Sequence, residues 1–530
     1  MSDRPNFLFI ITDQHRADHL GCGGHPILQT PNIDSIAERG RQFDRFYVAN
    51  PVCMPNRATL MTGRMPSVHG VRHNGIPLSL QSNTFVDLLS ANGYCTALMG
   101  KSHLQNMTGH SAMMPRRNIP EGRKPPPKEL AEALKPVAND DQYDQELPSR
   151  WESGQFSPMT LPFYGFDHVD LCTGHGDQVG GHYYHWLSQR HSDPSALRGE
   201  DNALPHEYVC PQAYRTAVSE ELYPTRYVEE KTLEYIDARA ADGAPFFAMA
   251  SFPDPHHPFT PPGKYWGMYD PADMVLPHSF ELVNDPPPHL SWAYAARDEG
   301  SAQTNSQNAF AVDERETREA MALTCGMIAM IDDAVGTILA RLEEHGLAKN
   351  TIVVFTSDHG DFLGDHRLML KGPVHYQGLI RVPFIWADTP DRATVGTSDA
   401  LCGTLDIAST ILERTQVEPF NGIQGRSLLH AIAGDDDTNS AMLIEADDQR
   451  SYFGFDKPIR MRTLVTRNWR MSVYQGAEWG EIYDLENDPD EMRNLWDEPS
   501  HASIRAELIE ILARKQIELV DRSPFPTARA

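Results

Sequence analysis

Short runs in which every position is apolar recur along this chain, each followed by a polar or glycine-rich break. Residues 7–11, FLFII, form the first of them, bounded by Pro5-Asn6 and by Asp13-Gln14. An unbroken apolar run of this length predicts a strand buried on both faces, as in a parallel sheet. Residues 97–99, 246–250, 351–356 and 383–386 predict further strands. Between them, helices are predicted over 33–40, 57–63, 84–93, 224–240, 314–345 and 404–414, several of them stopping at glycine. Strand followed by helix, repeated, predicts an α/β protein with a large, mixed but mainly parallel sheet flanked by helices.

After about Gly434 the pattern shortens. Residues 463–466, 470–474 and 481–483 read as strands and 504–519 as a helix, which predicts a small C-terminal antiparallel sheet plus helix. The expected organisation is one domain over 1–433 and a smaller α+β domain with a terminal tail over 434–530. Segments 114–161, containing GRKPPPKE, and 270–309 carry clustered proline and charge in place of either period, so both read as surface excursions. Gly21, Gly23 and Gly24 lack the spacing of a phosphate-binding loop and read as a tight turn.

Length and charge narrow the classes. The 530 residues exceed the roughly 250–300 at which one core stops growing, and 40% apolar with 22% charged residues describes a folded, soluble chain. A net charge of −27 without any long Lys/Arg-rich segment repels a phosphate backbone, so no nucleic-acid partner is expected. No run of about 18 apolar residues is evident, and the start MSDRPNFLFIITDQ lacks a secretory cleavage pattern, so no membrane association and a cytoplasmic location are expected. The seven cysteines are scattered and odd in number, which suggests neither a disulfide scaffold nor a zinc cluster. A homo-oligomer is expected at this size.

The polar groups that follow the strands are chemically distinctive. Asp13-Gln14 and Asp358-His359 both lie just beyond apolar runs, where open parallel sheets present ligands and catalytic groups. Together they form either a hard, oxygen-lined site for one divalent cation, calcium, magnesium or manganese, or ordinary caps and turns. Cys53, in PVCMPNRATLMTGR, is either an activated thiolate near a helix amino end or a buried cysteine. His256-His257 looks like a zinc pair, but adjacent residues followed by proline seldom aim both rings at one ion.

The segment CMPNRATLMTGR resembles the sulfatase signature, C-x-P-x-R followed by T-G-R, and Cys53, Pro55, Arg57, Thr62, Gly63 and Arg64 all match it. The resemblance extends through DQHRADHLGCGG, GKSH, the DPHHPF loop, SDHGDFLGDH, LKG and EIYDLENDPDEMRNL, nearly the whole chain. It implies an alkaline-phosphatase-like fold, and it implies that a formylglycine-generating enzyme converts Cys53 to formylglycine during maturation. The hydrated aldehyde of such enzymes attacks sulfur or phosphorus in line with the leaving oxygen, and its second hydroxyl later expels the inorganic oxyanion.

The resemblance also implies the roles of the surrounding residues. It assigns one divalent metal, calcium favoured over manganese or magnesium, to Asp13, Gln14, Asp358 and His359, with Cys53 beside it. Many relatives carry Asp where this chain has Gln14 and Asn where it has His359; His359 either ligates through nitrogen or hydrogen-bonds the nucleophile. Arg57 and Lys101 are assigned to positioning and oxyanion stabilisation, and His103 to hydrogen bonding or proton transfer. His256 is assigned to the substrate or leaving group, and Lys371 to the sulfuryl or phosphoryl oxygens. His366 and His375 are expected at the pocket rim, with Asp361 and Asp365 orienting neighbouring donors.

The implied activity is hydrolysis of small sulfate monoesters, as by an arylsulfatase. A phosphonate monoester or phosphodiester hydrolase with the same nucleophile is the alternative, and a non-catalytic binding protein on the same fold is the third reading. The leaving group depends on segments 104–165, 171–212 and 270–309, where Trp151, Tyr183, Tyr184 and Trp186 either bind an aryl group or pack.

Overall fold

The computed structural model describes residues 4–114, 118–133, 142–281, 285–435 and 439–529. Parts of the two proline-rich excursions and the last residue of the tail therefore lie outside the described residues.

Among the described residues nine strands form the main sheet, in the order Gly396–Ser398, Arg41–Phe43, Phe384–Ala387, Thr351–Ser357, Asn6–Thr12, Phe246–Ser251, Cys95–Lys101, His168–Thr173 and Gly180–Gly181. The five strands from Thr351–Ser357 to His168–Thr173 run parallel. Phe384–Ala387 is antiparallel to both of its neighbours, which makes the sheet mixed, as expected. Asn6–Thr12 lies at its centre and is buried throughout.

The alternation of side chains along that central strand divides the interior in two. Phe7, Phe9 and Ile11 face a core shared with Ala58, Phe85, Val86, Ile407 and Ile411, from helices Cys53–Thr62, Phe85–Ala91 and Thr404–Arg414. Leu8 and Ile10 face a second core with Ile33, Tyr227, Ile236, Ile331 and Val335, from helices Pro31–Glu38, Pro224–Asp242 and Glu314–Glu344. Both faces are thus covered, which is why the central strands read as unbroken apolar runs. Helix Glu314–Glu344 is apolar enough to qualify by length and composition as a membrane span, with an 18-residue window of mean hydropathy 1.5, but 78% of that window is buried inside the protein. It is a core helix.

The C-terminal part forms a four-stranded antiparallel sheet of Ala441–Asp447, Arg460–Thr466, Trp469–Tyr474 and Gly480–Asp484. Leu508 and Leu512 of helix Ala502–Glu518 pack on Leu443, Leu464, Met471 and Ile482 of its strands.

Three expectations change. The signature helix begins at Cys53 rather than Arg57, with Pro55 accommodated in its first turn, where a missing amide hydrogen breaks no helical bond. The second excursion is not wholly superficial: it contains helix Pro288–Asp298, whose His289, Leu290 and Ala293 are buried. The short strands Arg41–Phe43 and Phe46–Tyr47 and the strand Ala441–Asp447 lack a clear period and were not anticipated.

Candidate active site

Adjacent parallel strands deliver their polar ends to one place. The pairing of Thr12 with Ser357 sets Asp13 beside Asp358, and the amide of Asp358 donates to the Thr12 carbonyl at 3.2 Å. On the other side of the central strand, Phe246–Ser251 leads into the loop that carries His256, and Cys95–Lys101 ends on Lys101. Cys53 approaches as the first residue of its helix, whose early amides lack intrahelical partners and carry a partial positive charge. Asn56 fixes this approach, its side chain donating to the Asp358 carbonyl at 2.6 Å and to Thr404 Oγ1 at 3.2 Å.

Cys53 is 1% exposed and lies at the centre of the cluster. Its Sγ is 3.1 Å from His359 Nε2, 3.1 Å from Lys371 Nζ and 3.7 Å from Asp13 Oδ1. Burial pushes the thiol up from its ordinary value despite the nearby Lys371 and Arg57. The environment therefore disfavours a reactive thiolate at this position.

Arg57 is the main positioning group. Its Nε donates to Asp358 Oδ2 at 2.7 Å, while Nη1 donates to the Lys101 carbonyl at 2.8 Å and to Ser251 Oγ at 3.0 Å. Burial raises the Asp358 pKa, but neighbouring positive charge, that of Arg57 first, outweighs it and holds the carboxyl well below the usual range. Lys101 Nζ contacts Asp13 and lies 2.8 Å from His175 Nε2; burial lowers its pKa to about 7.

The histidines are oriented by backbone carbonyls. His359 Nδ1 lies 2.9 Å from the Gly360 carbonyl, an arrangement that makes Nδ1 the donor and turns the Nε2 lone pair toward Cys53 and the carboxylates. Burial, then Lys371, lowers its pKa to about 3, so the ring is neutral. His256 Nδ1 meets the His257 carbonyl in the same way, leaving Nε2 to accept from Lys371 Nζ at 2.7 Å. Burial and the neighbouring His175 and His257 hold His256 neutral too.

The donor set suits a hard divalent cation. Ligand atoms of Asp13, Cys53, Asp358 and His359 all lie within 4.8 Å of one another. Gln14 Oε1 is a buried oxygen without a hydrogen-bond partner among the described residues, and its Nε2 is held by Asp361 and by His257 Nδ1. Two carboxylates, a spare amide oxygen and a neutral imidazole nitrogen match calcium, magnesium or manganese better than a thiolate-type zinc site.

The sequence-derived residues do not all converge. His103 is buried with φ +55 and lies within the field of Lys101 and Arg57, but its Nδ1 has no partner among the described residues. His366 and His375, expected at the pocket rim, are buried and have their contacts with Tyr376 and Thr463. The His366 ring lies against Tyr376 with centroids 3.8 Å apart, and His375 Nδ1 bonds Thr463 Oγ1 at 2.8 Å, at the contact with the C-terminal sheet. Asp361 and Asp365 do orient donors, holding Gln14 and Arg16. Trp151, Tyr183 and Trp186 are buried packing residues, their polar atoms satisfied by the Gln145 carbonyl, the Leu222 carbonyl and Glu230. Tyr184 lies beside Ser195 and under Arg198.

His175 is the main residue the sequence reading missed. It stacks on His256 with centroids 3.5 Å apart and lies 3.6 Å from Asp13 Oδ2. Its signal was present: Gly174 and Gly176, at φ +78 and +53, flank it just past the end of strand His168–Thr173.

Comparison with known proteins extends the geometry. The chain matches the family described as Sulfatase over residues 5–417, and that described as N-sulphoglucosamine sulphohydrolase, C-terminal, over residues 359–518. It is 28% identical over 502 residues to an arylsulfatase of Clostridium perfringens, covering 93% of this chain and 90% of that protein. It is also 28% identical to the multifunctional alkaline phosphatase superfamily protein PehA of Trinickia caryophylli, covering 94% and 93%. Among solved structures, the phosphonate monoester hydrolase of Agrobacterium radiobacter superposes with a TM-score of 0.75 at 24% identity, covering 98% of this chain and 97% of that one.

Proposed function

Because the chain belongs to the sulfatase family, we propose that it hydrolyses sulfate monoesters to an alcohol or phenol and sulfate, with Cys53 matured to formylglycine. The observation that carries this reading is the setting of Cys53. It is a buried side chain at a helix amino end, 3.1 Å from both Lys371 Nζ and His359 Nε2, whose thiol is made less acidic rather than more. A thiolate nucleophile is poorly served there, whereas an oxygen nucleophile made from the same side chain sits among cations.

Hydrated formylglycine would supply a geminal diol, one hydroxyl attacking sulfur in line with the leaving oxygen and the second releasing sulfate by collapse to the aldehyde, which water would then rehydrate to the diol. Asp13, Gln14, Asp358 and His359 would hold a divalent cation, calcium for preference, whose fixed charge would polarise the reacting oxygens. The remaining work falls to the chain's own residues. Arg57 locks the Asp358 carboxylate, Lys101 Nζ contacts Asp13, and Lys371 Nζ lies 3.0 Å from His359 Nε2 and 3.1 Å from Cys53 Sγ. Such preorganised charge offsets the charge that develops on the transferring group. His256 accepts from Lys371 through Nε2, so this pair holds a proton close to Cys53 for the departing oxygen.

The inner cluster sets two carboxylates, Asp13 and Asp358, against three basic side chains, Arg57, Lys101 and Lys371. With the divalent cation added the site is cationic overall and attracts an anionic tetrahedral ester; a sulfate monoester carries one negative charge. Phosphonate monoesters and phosphodiesters also carry one, and the similarity to PehA and to the Agrobacterium phosphonate monoester hydrolase supports them as the second reading. Side-by-side kcat/KM values on an aryl sulfate, a phosphodiester and an aryl phosphonate monoester decide between them. The aryl sulfate is expected to be the best substrate; a dominant phosphorus ester replaces the first reading with the second, and inactivity of the mature protein on all three leaves a binding protein.

A further inference from the structure

A cavity of about 490 Å³ lies between the segment around helix Pro288–Asp298, the loop 301–311 and the loop 449–458. Its walls include Trp292, Phe310, Tyr452, Met113, Asn308 and Arg450. Two of these, Met113 and Trp292, are 62% and 42% exposed, large apolar side chains whose exposure the core packing does not explain.

The cavity adjoins the catalytic segments on two sides. A β-carbon at Gly372, the residue after Lys371, would stand 2.9 Å from the Tyr452 hydroxyl and 3.5 Å from Ala309 Cβ, both in the cavity wall. Gln449, also in the wall, bonds the carbonyl of Asn74, whose side chain accepts from the amide of Met54, the residue after Cys53. The wall thus touches the chain one residue from Lys371 and, through Asn74, one residue from Cys53.

The lining also defines what would fill the cavity. Arg450 donates to Asn308 Oδ1 and to Met113 Sδ at 3.1 Å, its amide donates to Asp448 Oδ1 at 2.9 Å, and the Asp448 carboxylate, with Asp456 in the cavity wall, offsets its charge. No surplus cation therefore awaits a second anionic group, while indole, phenol and phenyl rings offer flat apolar area. A volume in the range of ordinary ligand pockets exceeds what a single small ring needs.

Resting on the sulfatase reading above, we propose that this cavity is the leaving-group site and that it takes an uncharged aromatic alcohol larger than one ring. Trp292 and Tyr452 are its specificity-determining walls. A doubly sulfated sugar or another polyanionic leaving group is a poor fit.

The test uses the mature protein with 2-naphthyl sulfate and ethyl sulfate, together with the variants Trp292→Ala, which removes a wall, and Ser301→Trp, which fills the cavity from an exposed position. Each variant is expected to raise KM for 2-naphthyl sulfate by about tenfold, with kcat nearly unchanged, and to leave ethyl sulfate within twofold. Unchanged naphthyl KM in both variants, or equal shifts on both esters, overturns the assignment. Calorimetric titration with free 2-naphthol separates this from a failure of the chemistry. Binding to the parent chain that is lost in both variants upholds the cavity even if neither ester is cleaved, and absence of binding to the parent refutes it.

Discussion

Replacing Cys53 by alanine is expected to lower turnover of a sulfate ester by at least about 10⁴-fold while leaving the fold in place. The side chain supplies the proposed attacking group, and nothing else in the cluster offers an oxygen or sulfur nucleophile so placed among the described residues. The substitution is structurally mild. The start of the helix is held by backbone and neighbours, the Asn56 amide donating to the Val52 carbonyl at 3.1 Å and the Met54 amide to Asn74 at 3.1 Å, neither of which needs the thiol. The removed sulfur contacts Lys371 and His359, which keep each other as partners at 3.0 Å. The checks are kcat on an aryl sulfate and a thermal melt of the same preparation. A variant that melts normally and retains a tenth or more of the activity removes Cys53 from the mechanism.

Arg57→Ala is expected to damage both activity and stability, the latter by about 3–5 kcal/mol, the usual range when one partner of a buried ion pair is removed. Arg57 is 3% exposed and Asp358 is 1% exposed, so the surviving carboxylate keeps its burial and loses its closest cation. The Lys101 carbonyl and Ser251 hydroxyl lose a donor at the same time. The pH dependence follows from the depressed Asp358 pKa. In the parent protein that stabilisation is fully present above the unfolded carboxyl value, near 3.8, and is lost as pH falls. The gap between parent and variant should therefore be widest at neutral pH and narrow under acid conditions. Urea unfolding of both proteins with a chelator present, at pH 7 and at about pH 2.5, below the unfolded carboxyl value, measures it. Arg57→Lys keeps a charge but not the three-way fork, so partial recovery of stability with poor recovery of activity is expected. A loss below about 1 kcal/mol for the alanine variant at pH 7 contradicts the ion-pair account.

Much of the framework was legible because the central strands are buried on both faces. An unbroken run such as FLFII cannot alternate when Phe7, Phe9 and Ile11 enter one core and Leu8 and Ile10 the other. Asp13 and Asp358 were equally legible, since position at a strand's carboxyl end is a property of sequence order. The start of the signature helix was not, because its first residue follows Val52, which offers no side-chain cap, and Pro55 reads as a breaker when it is a tolerated first-turn residue.

What sequence order could not reveal depends on packing across long separations. His175 joins His256 and Asp13 only because strand His168–Thr173 lies beside Cys95–Lys101 in the sheet. Of the two readings open for Trp151, Tyr183 and Trp186, core packing is the one observed, and the aromatic cavity is lined by Trp292, Phe310 and Tyr452. The nitrogen by which His359 faces Cys53 follows from the Gly360 carbonyl on the other side of the ring, a detail that residue identity alone does not carry.

The central claim is that the working nucleophile derives from Cys53 and is no longer a thiol. Mass analysis of the peptide containing Cys53, from protein of measured specific activity, tests it most directly. The account predicts a peptide in which the thiol's sulfur and two hydrogens have been exchanged for one aldehyde oxygen, in a fraction that rises in proportion to activity across preparations. Full sulfatase activity in protein whose Cys53 is entirely unmodified would contradict it.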